Sequence, residues 1–307
     1  MKNWKEICTL SLVHFMAFPE MQTGEGAFIE SIQRISELDL FGALEMGSIN
    51  SPSLRAGVRK AASDQGFKLA FGAQPIILSQ GLNLNDPDQN VRLAAVHSLM
   101  TAIDQAAEMG AESFVTLSGK DPGKENRAMA YRDLTDSIER LAEYSERQGI
   151  RTVLEIFDRS VDKKALVGPA EEASRLADQV RMEFPEFGLL YDMGHMPLLD
   201  EEPQTALPIL APHLSEVHLG NCVKNPTSPL YGDKHPRFGY PGGVNGTAEL
   251  VSFLRELFKI GFLDADAKGK DLPWVGFEIR PQKDETTDQI LENIKTTWLD
   301  AWSQVYL

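Results

Sequence analysis

A single (β/α)8 TIM barrel is the fold this sequence predicts, on three observations. Short apolar runs alternate with stretches of helical periodicity eight times along 307 residues. Strict alternation implies parallel strands joined by crossover helices, and eight such units in about this length imply a closed barrel. Residues able to do chemistry recur after strands one, five, six, seven and eight, and only a closed barrel brings those carboxyl ends together. An open doubly wound sheet is the rival, and it would scatter them. No linker or composition shift divides the chain, so residues 1–307 read as one domain.

The elements follow in order. Residues 8–13 read as the first strand and 14–19 as a loop. Phe28, Ile32, Ile35 and Leu38 are spaced for one helix face over 28–38. Residues 42–47 are a short second strand. Ser51-Pro52 opens a helix with a cap and a proline in its first turn, and that helix stops near Gly66. The third strand, 68–72, ends at Gln74-Pro75. A polar loop through 83–87 leads into a long helix, 88–109, closed by Gly110. Strand four is 113–117, and a second long helix, 126–148, stops at Gly149. Strand five is 151–157, with a helix over 169–182. Strand six is 188–191, followed by a short helix at 204–210. Strand seven is 216–219. The longest irregular segment, 221–245, is dense in Pro and Gly, and a long loop in a compact fold is usually functional. It is expected to cover substrate. A helix over 246–260, strand eight at 274–279 and a last helix over 288–302 complete the chain.

Composition limits the partners. Hydrophobic content of 42% supports a large core. The net charge of −15 opposes general affinity for nucleic acid or an anionic membrane, both of which need basic surface. No run is long enough to span a bilayer. The amino terminus lacks the order of a secretory signal, because His14 interrupts its apolar stretch and no small-residue cleavage site follows. A cytoplasmic protein is expected. Cys8 and Cys222 are expected to be reduced thiols. Pro241-Gly242-Gly243 lacks a following Walker lysine and opens no dinucleotide fingerprint, so no nucleotide cofactor is expected.

Glu155, Asp192, His218 and Glu278 each close a different strand. Glu155 lies within VLEIF and Glu278 within VGFEI, runs that should be buried. A lone carboxylate there is costly without a cation or a proton. Each residue alone could serve a buried salt bridge or a core hydrogen bond. Four at the same end of the barrel point to one shared divalent metal ion. Three carboxylates and an imidazole form a hard donor set suited to Mn2+, Mg2+, Co2+ or Fe2+, with Zn2+ also accommodated.

The order Leu154-Glu155, Asp192-Met193-Gly194-His195, Val217-His218 and Phe277-Glu278 resembles the xylose-isomerase-like TIM-barrel superfamily over nearly the whole chain. That group includes ketose 3-epimerases, hydroxypyruvate isomerase, inosose dehydratase and zinc-dependent apurinic endonucleases. The resemblance to the ketose epimerases implies one metal, usually Mn2+, held by the four residues. It further implies proton transfer by Glu155 and Glu278 on opposite substrate faces, and a substrate oxygen bound by His195. The expected function is a metal-dependent isomerase or epimerase of a sugar or keto-sugar, acting through an enediolate. A lyase or decarboxylase on a keto-sugar or keto-acid, similar to enzymes that deglycosylate 3-keto C-glycosides, is the alternative. A sugar-binding protein on a retired barrel is the non-enzyme reading, and retention of both Glu155 and Glu278 argues against it.

Asp233-Lys234-His235 resembles the Asp-x-His that supplies extra zinc ligands in the apurinic endonucleases. Gln74-Pro75 and Ser118-Gly119 stand where those multi-zinc phosphodiesterases carry further histidines, which counts against that reading. Asp233 and His235 are instead expected to touch substrate or shape the loop, and His235 also reads as a plain surface residue. Arg280, two residues after Glu278, points to the same side and suits a hydroxyl, carboxylate or phosphate, or a salt bridge to a neighbouring carboxylate. His14 is a substrate-contact candidate after strand one. Glu45 reads equally as a core carboxylate paired with Arg or Lys. His97 and His213 read as structural or exposed. Superfamily relatives are often dimers or tetramers, so a homo-oligomer is possible, and Trp298, Trp302 and Tyr306 could pack on a partner or on the barrel.

Overall fold

The computed structural model describes residues 3–266 and 271–305. β1 (Thr9–Val13) and β2 (Ala43–Met46) are separated by a one-turn helix α1 (His14–Ala17) and by α2 (Phe28–Ser36). α3 (Pro52–Asp64) leads to β3 (Lys68–Gly72), α4 (Gln74–Gln80) and the long α5 (Gln89–Met109). β4 (Ser113–Leu117), α6 (Arg127–Arg147), β5 (Arg151–Ile156), α7 (Ala170–Val180) and β6 (Gly188–Asp192) continue the alternation. α8 (Pro203–Leu210), β7 (Leu214–Gly220), α9 (Thr247–Lys259), β8 (Trp274–Glu278) and α10 (Thr287–Val305) complete it. Each strand pairs with the next, and β8 returns to β1 with Thr9 opposite Trp274, so the sheet is a closed parallel barrel in sequence order.

The caps are those the sequence carries. Ser51 accepts the Leu54 amide ahead of Pro52, and Asp88 accepts the Asn90 amide at the start of α5. Gly110 closes α5 at φ +77°, where a side chain would be strained. Two short helices go beyond the sequence reading, α1 where a loop is expected over 14–19 and α4 in a stretch to which it assigns no element. α1 is one buried turn without a polar cap, too short for periodicity to register. α4 starts at Gln74-Pro75 and stops at left-handed Gly81, and that proline-to-glycine asymmetry is visible in the sequence.

Alternation along each strand divides the core in two. Leu154, Ile156, Leu189, Tyr191, Val217 and Phe277 face outward to the helix ring. Val115, Val153 and Leu190 form a separate apolar plug inside the barrel. Residues two further along face the same way, which sets Glu155 and Asp192 above that plug. Gly276 keeps the interior open, because a Cβ there would stand 2.7 Å from His218 Cδ2 and 2.8 Å from Ser11 Oγ. Trp298 is fully buried, edge-on to Phe277 and stacked on Trp302, so both tryptophans pack on the barrel. Tyr306 lies outside the described residues. Cys8 and Cys222 are buried and unbridged. Among the described residues no helix is long and apolar enough to cross a membrane.

Candidate active site

Glu155 projects from β5, Asp192 ends β6, His218 lies on β7 and Glu278 ends β8. The register sets Asp192 beside His218 and Gly220 beside Glu278. All four side chains are buried, and one donor atom from each lies within 4.8 Å of the other three. Glu155 Oε1 and Asp192 Oδ2 have no hydrogen-bond partner. Buried carboxylate oxygens left unpaired are costly, and three carboxylates with an imidazole are the donor set a divalent cation accepts. The residues present therefore fit a metal ion.

A second layer holds the cluster. His218 Nδ1 lies 2.9 Å from Glu278 Oε2, and its Nε2 lies 3.1 Å from Glu45 Oε2. Glu45 thus pairs with His218, where sequence reasoning expected Arg or Lys. The Gln74 amide donates to Glu155 Oε2 at 2.7 Å and to Glu45 Oε1 at 3.2 Å. This bridge needs Gly72, since a Cβ there would stand 2.4 Å from Glu45 Oε1 and 2.6 Å from Gln74 Oε1.

The charges pull the two glutamates apart. Burial pushes the Glu155 carboxyl up to about 8, and the Glu278 charge adds to this. Burial would also raise Glu278, but the His235 charge and the His218 hydrogen bond outweigh it and hold that carboxyl down at about 2. Burial raises Asp192, against the pull of His195 and His235. Burial would lower His218, yet Glu45 and Glu278 hold it well above the ordinary imidazole value.

His195 and the loop after β7 form the adjoining wall. His195 Nδ1 donates to the Ile156 carbonyl at 2.8 Å, and its Nε2 lies 3.2 Å from Asp233 Oδ1. His235 is buried at φ +48°, an uncommon backbone state for a non-glycine residue. Its Nδ1 donates to the Glu278 carbonyl at 2.9 Å, and its Nε2 lies 2.6 Å from Asp233 Oδ1. Lys163, from the loop after β5, lies 2.7 Å from Asp233 Oδ2. Asp192, His195 and His235 also bring three donor atoms within 4.8 Å of one another, with the Lys163–Asp233 pair beside them. Among the described residues a cleft of about 290 Å³ opens over Glu278, with His235, Asp233, Lys163, Arg280 and Gln74 in its lining. A larger cleft, about 500 Å³, opens at the amino-terminal end of the barrel near Lys68, Arg151 and Trp274. In barrels of this type that end serves stability and the carboxyl rim serves chemistry.

Of the sequence candidates, the structure brings together Glu155, Asp192, His218, Glu278, His195, Asp233 and His235, with Arg280 on the cleft wall. It does not bring His14 there. That imidazole is fully buried between Phe18 and Phe28, with Nε2 2.7 Å from Ser31 Oγ. Sequence reasoning missed Gln74 and Lys163. Gln74 follows a strand end, a position that carries chemistry in barrels, whereas nothing in the loop around Lys163 marks it out.

A family described as xylose isomerase-like TIM barrel matches residues 34–297. D-psicose 3-epimerase from Clostridium cellulolyticum H10, solved with D-tagatose, superposes with a TM-score of 0.66 at 16% identity, over 96% of each chain. A D-tagatose 3-epimerase-like protein gives 0.70 at 18% identity, over 97% of this chain and 99% of that one. The IOLI protein, solved with a zinc atom, gives 0.70 at 15% identity over 97% and 99%. At such identities the likeness establishes the fold.

Proposed function

The chain belongs to the xylose isomerase-like TIM-barrel family, and from that premise we propose that it is a divalent-metal-dependent isomerase or epimerase of a sugar or keto-sugar. The carrying observation is the buried set Glu155, Asp192, His218 and Glu278, with unpartnered oxygens on Glu155 and Asp192. The neighbours support the class: two carry 3-epimerase names and a third was solved with zinc.

The four residues would hold one metal ion, Mn2+ being the first to try. Bound there, it would supply several kcal/mol of stabilisation to negative charge developing on substrate oxygens. The remaining work falls to the chain. Glu155, from β5, and Glu278, from β8, would act as a carboxylate pair. One takes the proton from the carbon next to the carbonyl and the other returns a proton to the resulting enediolate. Gln74 orients Glu155 through its 2.7 Å hydrogen bond. His195, its ring fixed by the Ile156 carbonyl, presents Nε2, 3.2 Å from Asp233 Oδ1, to a substrate oxygen. Asp233 and His235 shape the wall beside it. The multi-zinc phosphodiesterase reading is weaker, because Lys163 already supplies a positive charge at Asp233.

The test begins with elemental analysis of the purified protein and of its Glu155→Gln and Asp192→Asn variants. About one metal per chain, lost in both variants, is expected. The reloaded protein is then incubated in D2O with a panel of keto-sugars. Deuterium should enter at the carbon next to the carbonyl, and the variants should abolish it. Elimination products in place of epimers would move the assignment to a lyase. No exchange with any sugar after reloading with Mn2+, Co2+ or Zn2+ would overturn the proposal.

A further inference from the structure

Two lysines and one arginine line the cleft over Glu278, in a chain whose net charge is −15. Both lysines are already paired. Lys163 lies 2.7 Å from Asp233, and Lys234 lies 2.7 Å from Asp162. Arg280 differs: among the described residues its guanidinium has neither a carboxylate partner nor a hydrogen-bond acceptor. Acidic residues are not scarce here, since Glu278 and Asp233 line the same cleft.

The backbone of Arg280 is nevertheless pinned. Its amide donates to the His235 carbonyl at 2.8 Å, and its own carbonyl accepts from Gln282 Nε2 at 3.0 Å. The Gln282 amide also reaches the Lys234 carbonyl at 2.9 Å, so strand end and loop are locked together around this residue. A fixed backbone with an unpaired side chain in a cleft is a prepared binding group. Arginine presents a planar fork that matches a carboxylate or phosphate in two parallel hydrogen bonds. A neutral hydroxyl would use only part of it.

Resting on the isomerase reading, we propose that the substrate is an anionic sugar, and that Arg280 binds its terminal carboxylate or phosphate. Two residues span at most about 7 Å, and the arginine side chain extends the reach further. An end group held at Arg280 therefore lies several bonds from a carbon worked on at Glu278. Phe15 and Met16 supply apolar surface to the same cleft for the carbon skeleton of such a substrate. Arg280 is thus a specificity residue, distinct from the proton-transfer pair.

The experiment compares three probes by titration calorimetry on the Mn2+-loaded protein: D-fructose, D-fructose 6-phosphate and 5-keto-D-gluconate. A hydrogen bond to a charged group is worth roughly 1.5–3 kcal/mol, so the favoured anionic probe should bind at least about tenfold tighter than D-fructose. The phosphate and carboxylate arms tell the two end groups apart. Arg280→Gln should collapse the preference toward unity, and Arg280→Lys should restore only part of it. Equal binding of neutral and anionic probes, or a preference that survives Arg280→Gln, would overturn the proposal. Deuterium exchange on the same samples separates the two readings. Exchange without anion preference leaves the isomerase standing and removes the subsite. An Arg280-dependent preference without exchange into any sugar does the reverse.

Discussion

His218 is held at both ring nitrogens. Its Nδ1 faces the converging carboxylates, 2.9 Å from Glu278 and 3.9 Å from Glu155, while Nε2 faces Glu45 at 3.1 Å. A carboxylate behind a ligand histidine fixes its tautomer and orientation, and loss of such a partner typically costs 10–100-fold in metal affinity. Glu45→Gln should therefore weaken Mn2+ binding by about that factor, read by calorimetry, with an unchanged circular dichroism spectrum. An unaltered affinity would show that His218 needs no help. Strand two hinted at this, because Glu45 sits between Leu44 and Met46 in a buried run, but the sequence could not name the residue it faces across the barrel. His14 shows the opposite limit. Its place after strand one is legible, yet the ring turns away from the rim, where Phe18 and Phe28 stack on it. Burial pushes its imidazole from 6.5 down to about 3. Between those values the unfolded chain binds a proton that the folded chain refuses, so stability falls as pH drops through this window. One such group contributes about 1.4 kcal/mol per pH unit. His14→Gln should flatten the dependence of the unfolding free energy in urea on pH below about pH 6 by that amount. Parallel curves would mean that another group titrates.

The loop after β7 is tied at its neck. Asn221 Oδ1 accepts the amides of Cys222 at 2.9 Å and Asn245 at 2.8 Å, while its Nδ2 donates to the Arg237 carbonyl at 2.9 Å. The Asn245 amide group donates to the carbonyls of Met193 and Gly220 at 3.0 and 2.9 Å. Both asparagines are buried, so Asn245→Ala leaves two buried carbonyls unsatisfied, at about 1–3 kcal/mol each. The variant should unfold at lower urea and be cleaved faster between residues 221 and 246 under limited proteolysis; cleavage at the parent rate would show that the clasp is dispensable. The neighbouring loop after β5 is built on Asp158, which accepts the amides of Val161, Asp162 and Lys163 at 2.6–2.8 Å. That turn delivers Asp162 to Lys234 and Lys163 to Asp233, cross-linking the two loops. Strands and long helices were legible because apolar periodicity and caps are local signals. This clasp was not, since its bonds from Asn245 to Met193 and from Lys163 to Asp233 join residues 52 and 70 positions apart, whose proximity exists only in the folded chain.

At the scale of the molecule, four of the eight strands meet at the proposed metal site, so β5 to β8 share one buried cluster of three carboxyl groups and an imidazole. The chain also carries 45 acidic against 30 basic residues. Salt screens the surface excess but reaches buried charges poorly. A divalent cation at the rim should therefore stabilise the barrel in a way that sodium chloride cannot imitate. Linkage sets the size: a ligand at a hundred times its Kd that binds only the folded state adds about 2.7 kcal/mol. For a chain of this size each kcal/mol is worth about 1.5 °C in Tm. Mn2+ should raise Tm by roughly 4 °C over the chelator-treated protein, and Asp192→Asn should lose most of that rise. Equivalent ionic strength supplied as NaCl should move the two proteins alike. If Mn2+ shifted the variant as far as the parent, the stabilisation would come from the acidic surface, and the set at the ends of β5 to β8 would not be where the ion binds.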